Sequence, residues 1–163
     1  MVESEDAPSV AQPSAEKLLV GLGSPHGDDQ IGWSLVKALQ FHREAGVAAV
    51  MISQPSELLD HLHGCEALVV VDACSSGHSP GTIERLEWPD ERIACCDAHS
   101  THGFSIAAAL SVADRLQRLP RRVVLYVVEA GACNVGQGLG TALVSVLPEL
   151  ERRVLQEFRE DDD

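Results

Sequence analysis

Basic residues are scarce in this sequence. Its 163 residues hold 12 Lys and Arg against 25 Asp and Glu, a formal net charge of −13. A chain with that balance is repelled by phosphate backbones and by anionic bilayers, which excludes nucleic acid and membrane surfaces as partners. Long apolar runs are missing as well. No stretch reaches the ~20 residues that span a hydrocarbon core, and the N-terminus has neither the basic start nor the apolar segment of a secretory leader. A cytoplasmic location is the expectation. Cys-x-x-Cys pairs are absent. The five cysteines, Cys65, Cys74, Cys95, Cys96 and Cys133, are odd in number, and the adjacent Cys95 and Cys96 are badly placed to bridge each other. Reduced, mostly buried thiols are expected. P-loop, H-E-x-x-H and G-x-S-x-G patterns do not occur. Gly21-Leu22-Gly23 starts like a dinucleotide loop, but His26 takes the third glycine position, and Asp28 and Asp29 would repel a pyrophosphate.

What is present is the apolar content of a globular protein, 45% of the residues, with a mean hydropathy near zero. The length suits one domain. We place it at residues 16–159, between an acidic Ser/Pro/Ala-rich tail over 1–15, expected to be disordered, and a short acidic tail over 160–163.

Hydrophobic periodicity predicts strands over 17–22, 47–53, 67–71 and 123–128, and an edge strand over 82–88. The run Ala67-Leu68-Val69-Val70-Val71 is apolar without a break, as in a strand covered on both faces. Helices are predicted over 29–43, with Asp28 as the N-cap, over 55–64, over 103–119, and over 141–159 with an interruption at Pro148. The stretch 89–101 reads as irregular. The alternation of strands and helices gives an α/β fold: three layers, with a mostly parallel twisted sheet of about five strands and one short, antiparallel edge strand.

Open parallel sheets bind ligands beyond the C-terminal ends of their strands. Polar residues at those ends are Asp28 and Asp29 after the first strand, Asp72 after the third, His102 before the long helix, and Glu129 after the last strand. Each has a bland explanation: a cap, the helix dipole, a turn bond or a loop prop. Asp28 is read as the cap. Taken together, Asp29, Asp72 and His102 come from three distant segments of one rim. Two carboxylates and an imidazole make a borderline metal site that leaves coordination positions open. His26 lies near this rim, and His99 is a substitute for His102. His61 and His63, two apart on a helix, point to different faces and are read as exposed, as are His42 and His78.

These segments resemble a known family, the hydrogenase-maturation endopeptidases. Its opening pattern, G-x-G-N-x-x-x-G-D-[DE]-x-x-G, is similar to Gly21 to Gly32. Its V-D-A and G-x-x-P-G-T turn is matched by Val71-Asp72-Ala73 and Gly77-His78-Ser79-Pro80-Gly81-Thr82, and its S-x-H-G by Ser100-Thr101-His102-Gly103. Its late glutamate and G-x-G-L are matched by Glu129 and Gly136-Gln137-Gly138-Leu139. The resemblance spans about Lys17 to Leu150. It departs at Ser24, where Asn is usual, in a first loop one residue shorter, and at Ser53-Gln54-Pro55-Ser56, where the family has Gly-Thr.

The resemblance implies an aspartic-type endopeptidase that removes the C-terminal extension of a nickel-iron hydrogenase large-subunit precursor. Nickel would be supplied by the substrate and gripped by Asp29, Asp72 and His102, with no organic cofactor. A monomer is expected. No Ser or Cys nucleophile with a base partner is visible in the sequence, so water is the expected attacking group. Two other readings use the same rim. One is a module that senses nickel in its partner and cuts nothing. The other is a receiver-type phosphoacceptor domain, but that resembles a family with Lys after the last strand, and this chain has only Lys17 and Lys37, with Glu129 at that place.

Overall fold

Leu18, Leu19, Val20 and Leu22 form an unbroken apolar run, and Lys17–Leu22 is the first strand, β1. The computed structural model of the chain describes residues 16–40, 46–96 and 105–160. Within them the elements follow as α1 (Ile31–Leu39), β2 (Val47–Ile52), β3 (Ala67–Cys74), β4 (Ile83–Glu87), α2 (Glu91–Cys96), α3 (Ile106–Arg115), β5 (Arg122–Glu129) and α4 (Thr141–Glu160). Two 3-10 turns, Gly27–Gln30 and Pro55–Asp60, precede α1 and follow β2.

The sheet has the order β2-β1-β3-β5-β4. Its first four members are parallel, and β4 runs antiparallel to β5, pairing Ile83 with Val128 and Glu87 with Val124. The predicted α/β class and its antiparallel edge strand are both found. Strand alternation splits the core in two. Leu18, Val20, Leu68, Val70, Leu125 and Val127 face Leu58, Ile93, Ile106 and Leu110 on one side. Leu19, Val69, Val71, Val124, Tyr126 and Val128 face Ile31, Leu35, Leu143, Leu150 and Val154 on the other. Helix α1 rides directly on the sheet. A Cβ on Gly21 would stand 2.3 Å from the Gly32 carbonyl oxygen, and one on Gly32 would stand 2.5 Å from that of Val71. This contact draws the start of α1 down onto the C-terminal ends of β1 and β3.

Several expected boundaries are corrected. The first turn before α1 is 3-10, and residues 41–43 of the predicted helix lie outside the described residues. The helix expected to end near Gly64 is the 3-10 turn Pro55–Asp60, which leaves His61 and His63 exposed beyond it. Part of the stretch read as irregular is α2, because Ile93 is fully buried and Asp90 caps the turn through its carbonyl and carboxylate. Pro148 does not interrupt α4. The carbonyl that a proline leaves unpaired belongs to residue 144, and both Val144 and Pro148 are exposed, so water can satisfy it. Glu160, assigned to the tail, closes α4. No helix among the described residues is long and apolar enough to cross a membrane.

Candidate active site

The rim at the C-terminal ends of β1, β3 and β5 is tied together by two buried carboxylates. Asp28 is 3% exposed. Its Oδ2 accepts hydrogen bonds from the backbone N–H groups of Gly131 (2.7 Å) and Ala132 (3.1 Å), and its Oδ1 accepts one from Gly140 (2.7 Å). It is therefore not the helix cap that its position suggests. The 3-10 turn is capped at His26 without any side-chain bond. Burial pushes the Asp28 carboxyl up, but the amides of Gly140, Ala132 and Gly131 outweigh it and hold it below the ordinary carboxylate value. Two backbone bonds and one side-chain bond tie the same loop further. Asp28 N–H donates to Ala132 O at 2.8 Å, Gly27 N–H to Gln137 O at 2.9 Å, and Gln30 Nε2 to Gln137 O at 2.8 Å. Gly27 has φ +53°, and a Cβ there would stand 2.5 Å from Ala132 O.

Glu129 closes the other side. It is 3% exposed and, from the end of β5, holds the loop after β3. Its Oε1 accepts from the backbone of Ser76 (2.9 Å) and Gly77 (3.0 Å), and its Oε2 from Ser76 Oγ (2.6 Å). Here too burial raises the carboxyl and the Ser76 and Gly77 hydrogen bonds, aided by Cys74, bring it below its ordinary value.

Between these braces stand the acids selected from the sequence. Asp29 is half-buried next to Asp28. Asp72 is half-buried near the end of β3, with the Ala73 N–H donating to its Oδ1 at 2.8 Å. Asp72 borders a cavity of about 10 Å³ beneath the sheet, shared with Ile93 of α2 and Ile106 of α3 and about large enough for one water. The charges of both acids act on Cys133. Its thiol is pushed up first by desolvation, then by the charge of Asp29, with Asp28 and Asp72 adding to it. Cys133 is exposed, against the expectation of mostly buried thiols. Cys65 and Cys74 are half-buried thiols. His102, together with His99 and Gly103, lies outside the described residues, as does His42. Among the described residues no three His, Cys, Asp or Glu side chains are grouped so as to hold a metal. His26 is near the rim, and its Nδ1 is buried without a hydrogen-bond partner among the described residues.

Three features escaped the sequence reading: the bracing role of Asp28, the exposure of Cys133, and a contact of Ser76 Oγ with His78 Nδ1 at 2.8 Å. A hint was available for the first, since Gly131 and Gly140 are residues that let a buried carboxylate reach backbone N–H groups.

Comparison with known proteins gives the family and the fold. Residues 37–157 match the family model of HycI, a hydrogenase maturation protease. The match covers Asp72 and His102 and begins after Asp29. The fold is similar to the hydrogenase maturating endopeptidase HybD from E. coli (24% identity, TM-score 0.77, covering 90% of this chain and 93% of that one). It is also similar to an E. coli endopeptidase solved in solution (25%, TM-score 0.77, 89% and 93%), and to the [NiFe] hydrogenase maturation protease HybD from Thermococcus kodakarensis (18%, TM-score 0.66, 86% and 97%). No curated protein sequence is matched at a significant level.

Proposed function

The chain belongs to the hydrogenase maturation protease family, and from that premise we propose that it removes the C-terminal extension of a nickel-iron hydrogenase large-subunit precursor, gripping nickel carried by that substrate. Asp29, Asp72 and His102 are the gripping residues. The observation that carries this reading is that Asp29 and Asp72, 43 positions apart in sequence, stand on one rim, where the neighbouring strands β1 and β3 pair Gly21 with Val71. His102 precedes Ser105, the N-cap of α3, by three residues, and Ile106 borders the cavity of Asp72.

Two carboxylates and an imidazole suit a borderline divalent ion, and three protein ligands leave room for those of the substrate. A precursor without nickel would lack its anchor, so cleavage would report that metal insertion is complete. The bound ion can polarise the scissile carbonyl or lower the pKa of a water. Nickel itself is cargo of the substrate here. The same reading has the protein act as a cytoplasmic monomer.

Incubation of nickel-loaded precursor with this protein is expected to give a mass loss equal to the extension, and nickel-free precursor is expected to remain whole. Asp29→Ala, Asp72→Ala and His102→Ala are each expected to abolish processing while the circular dichroism spectrum is unchanged. Unimpaired cleavage by these variants would reject the site, and nickel-loaded precursor that binds but is never cut would favour the sensing module.

A further inference from the structure

We propose that His78 is the proton carrier of the hydrolysis, its imidazole oriented by a hydrogen-bonded relay that starts at the buried Glu129. This rests on the peptidase reading above.

The relay is defined by its donors and acceptors. Glu129 can only accept. Its Oε2 lies 2.6 Å from Ser76 Oγ, which commits the hydroxyl proton of Ser76 to the carboxylate. The contact of 2.8 Å between Ser76 Oγ and His78 Nδ1 then has the ring as donor. With the proton on Nδ1, the neutral ring carries its lone pair on Nε2. The carboxylate also stabilises the imidazolium that forms when Nε2 takes a proton, through two hydrogen bonds in series. Ser76 stands between acid and imidazole with its own proton turned to the acid, so it is a link rather than a nucleophile. Glu129 anchors the whole loop by its bonds to the Ser76 and Gly77 backbone, so the relay is braced where it begins.

The relay lies on the correct face. Asp72 and Cys74 are two apart on β3 and share one side of the sheet, where Asp72 pairs with Val127 and Cys74 with Glu129. Glu129 thus stands one side-chain step, about 7 Å, further along the rim than Asp72. That is also the side on which α2 and α3 pack. Ser76 and His78 are exposed, so the ring is open to a substrate.

Nε2 accepts a proton from water as the water oxygen bonds to the scissile carbonyl carbon and the C=O π pair moves onto its oxygen. The imidazolium delivers that proton to the amide nitrogen as the C–N bond breaks and the carbonyl re-forms. A carboxylic acid, a free amine and neutral His78 result.

The test uses the full chain and nickel-loaded large-subunit precursor, with cleavage followed by mass. His78→Ala is expected to lower kcat about 10²-fold, the lower end of what a general acid–base group supplies, with KM unchanged and part of the rate restored by added imidazole. Ser76→Ala, which keeps both backbone bonds to Glu129, is expected to lose less. His78→Gln is expected to stay as slow as alanine. The proposal is overturned if His78→Ala cleaves at the wild-type rate, if only KM changes, or if glutamine restores the rate, since the last two describe substrate binding. Asp72→Ala in the same assay separates the two ideas. A dead Asp72 variant beside a normal His78 variant sinks the relay alone, whereas a normal Asp72 variant, or a wild type that does not cut, sinks the metal grip and the relay with it.

Discussion

Replacing Asp28 with alanine removes the acceptor of three backbone N–H groups at once, those of Gly131, Ala132 and Gly140. A buried donor left without a partner costs about 1–3 kcal/mol. The three residues are exposed apart from these amides, so water can reach part of the way, and the lower end applies to each. Relief of the buried charge offsets some of the rest. The expected loss is about 2–4 kcal/mol in total. With a urea slope of about 2 kcal/mol per molar, the unfolding midpoint should fall by about 1–2 M. Asp28→Asn should fare little better, because its one remaining acceptor oxygen can serve Gly140 or the Gly131/Ala132 pair, while its amide confronts the other donors. The effect should also depend on pH. The folded Asp28 carboxyl lies below its ordinary value of 3.8, so its contribution is complete above that value and is lost as pH falls through the folded one. Urea titrations followed by circular dichroism at neutral and acid pH measure both effects. A midpoint within about 0.3 M of wild type at pH 7 would refute the idea that this carboxylate braces the rim.

Gly21→Ala would place a methyl 2.3 Å from the Gly32 carbonyl oxygen and prise α1 off the sheet. A loss of ~3 kcal/mol or more is expected, seen in calorimetry, and an unchanged Tm would contradict the close approach. Glu157 is 6% exposed and receives hydrogen bonds from Arg85, Arg122 and Tyr126 Oη. Burial raises its carboxyl, but the bonds from Arg85 and Tyr126 and the two arginine charges hold it below the ordinary 4.5. Glu157→Gln should therefore cost about 2 kcal/mol at pH 7, the arginines being partly solvated. The deficit should shrink as pH falls below 4.5, because the stabilisation by Glu157 exists above that value and is lost through the folded one. A deficit in melting temperature that stayed constant with pH would speak against an ionised Glu157.

The strands were legible because burial on both faces of a parallel sheet demands long apolar runs, and Ala67 to Val71 and Val123 to Val128 supply them. Pro148 misled because the sequence does not say which carbonyls face water. Helix α2 was missed because six residues carry little periodicity, and its single buried anchor, Ile93, looks like any apolar residue in a loop. The same limit applied at the site. Asp28 and Asp29 are neighbours of one residue type at the start of one helix, and nothing local distinguishes a brace from a ligand. Asp28 is turned inward onto a loop more than a hundred residues away in sequence, as its bonds to Gly131 and Gly140 record.

Taken alone, the sequence determined the α/β class and the family, since local apolar period and short motifs in order are properties of neighbouring residues. The tertiary structure decided which carboxylates are buried braces and which stay half-open, that Glu129 reaches a histidine through a serine, and that Asp29 and Asp72 stand on one rim. These depend on strand order and register, which bring together groups tens of residues apart, and burial sets the worth of a charge only once that packing exists.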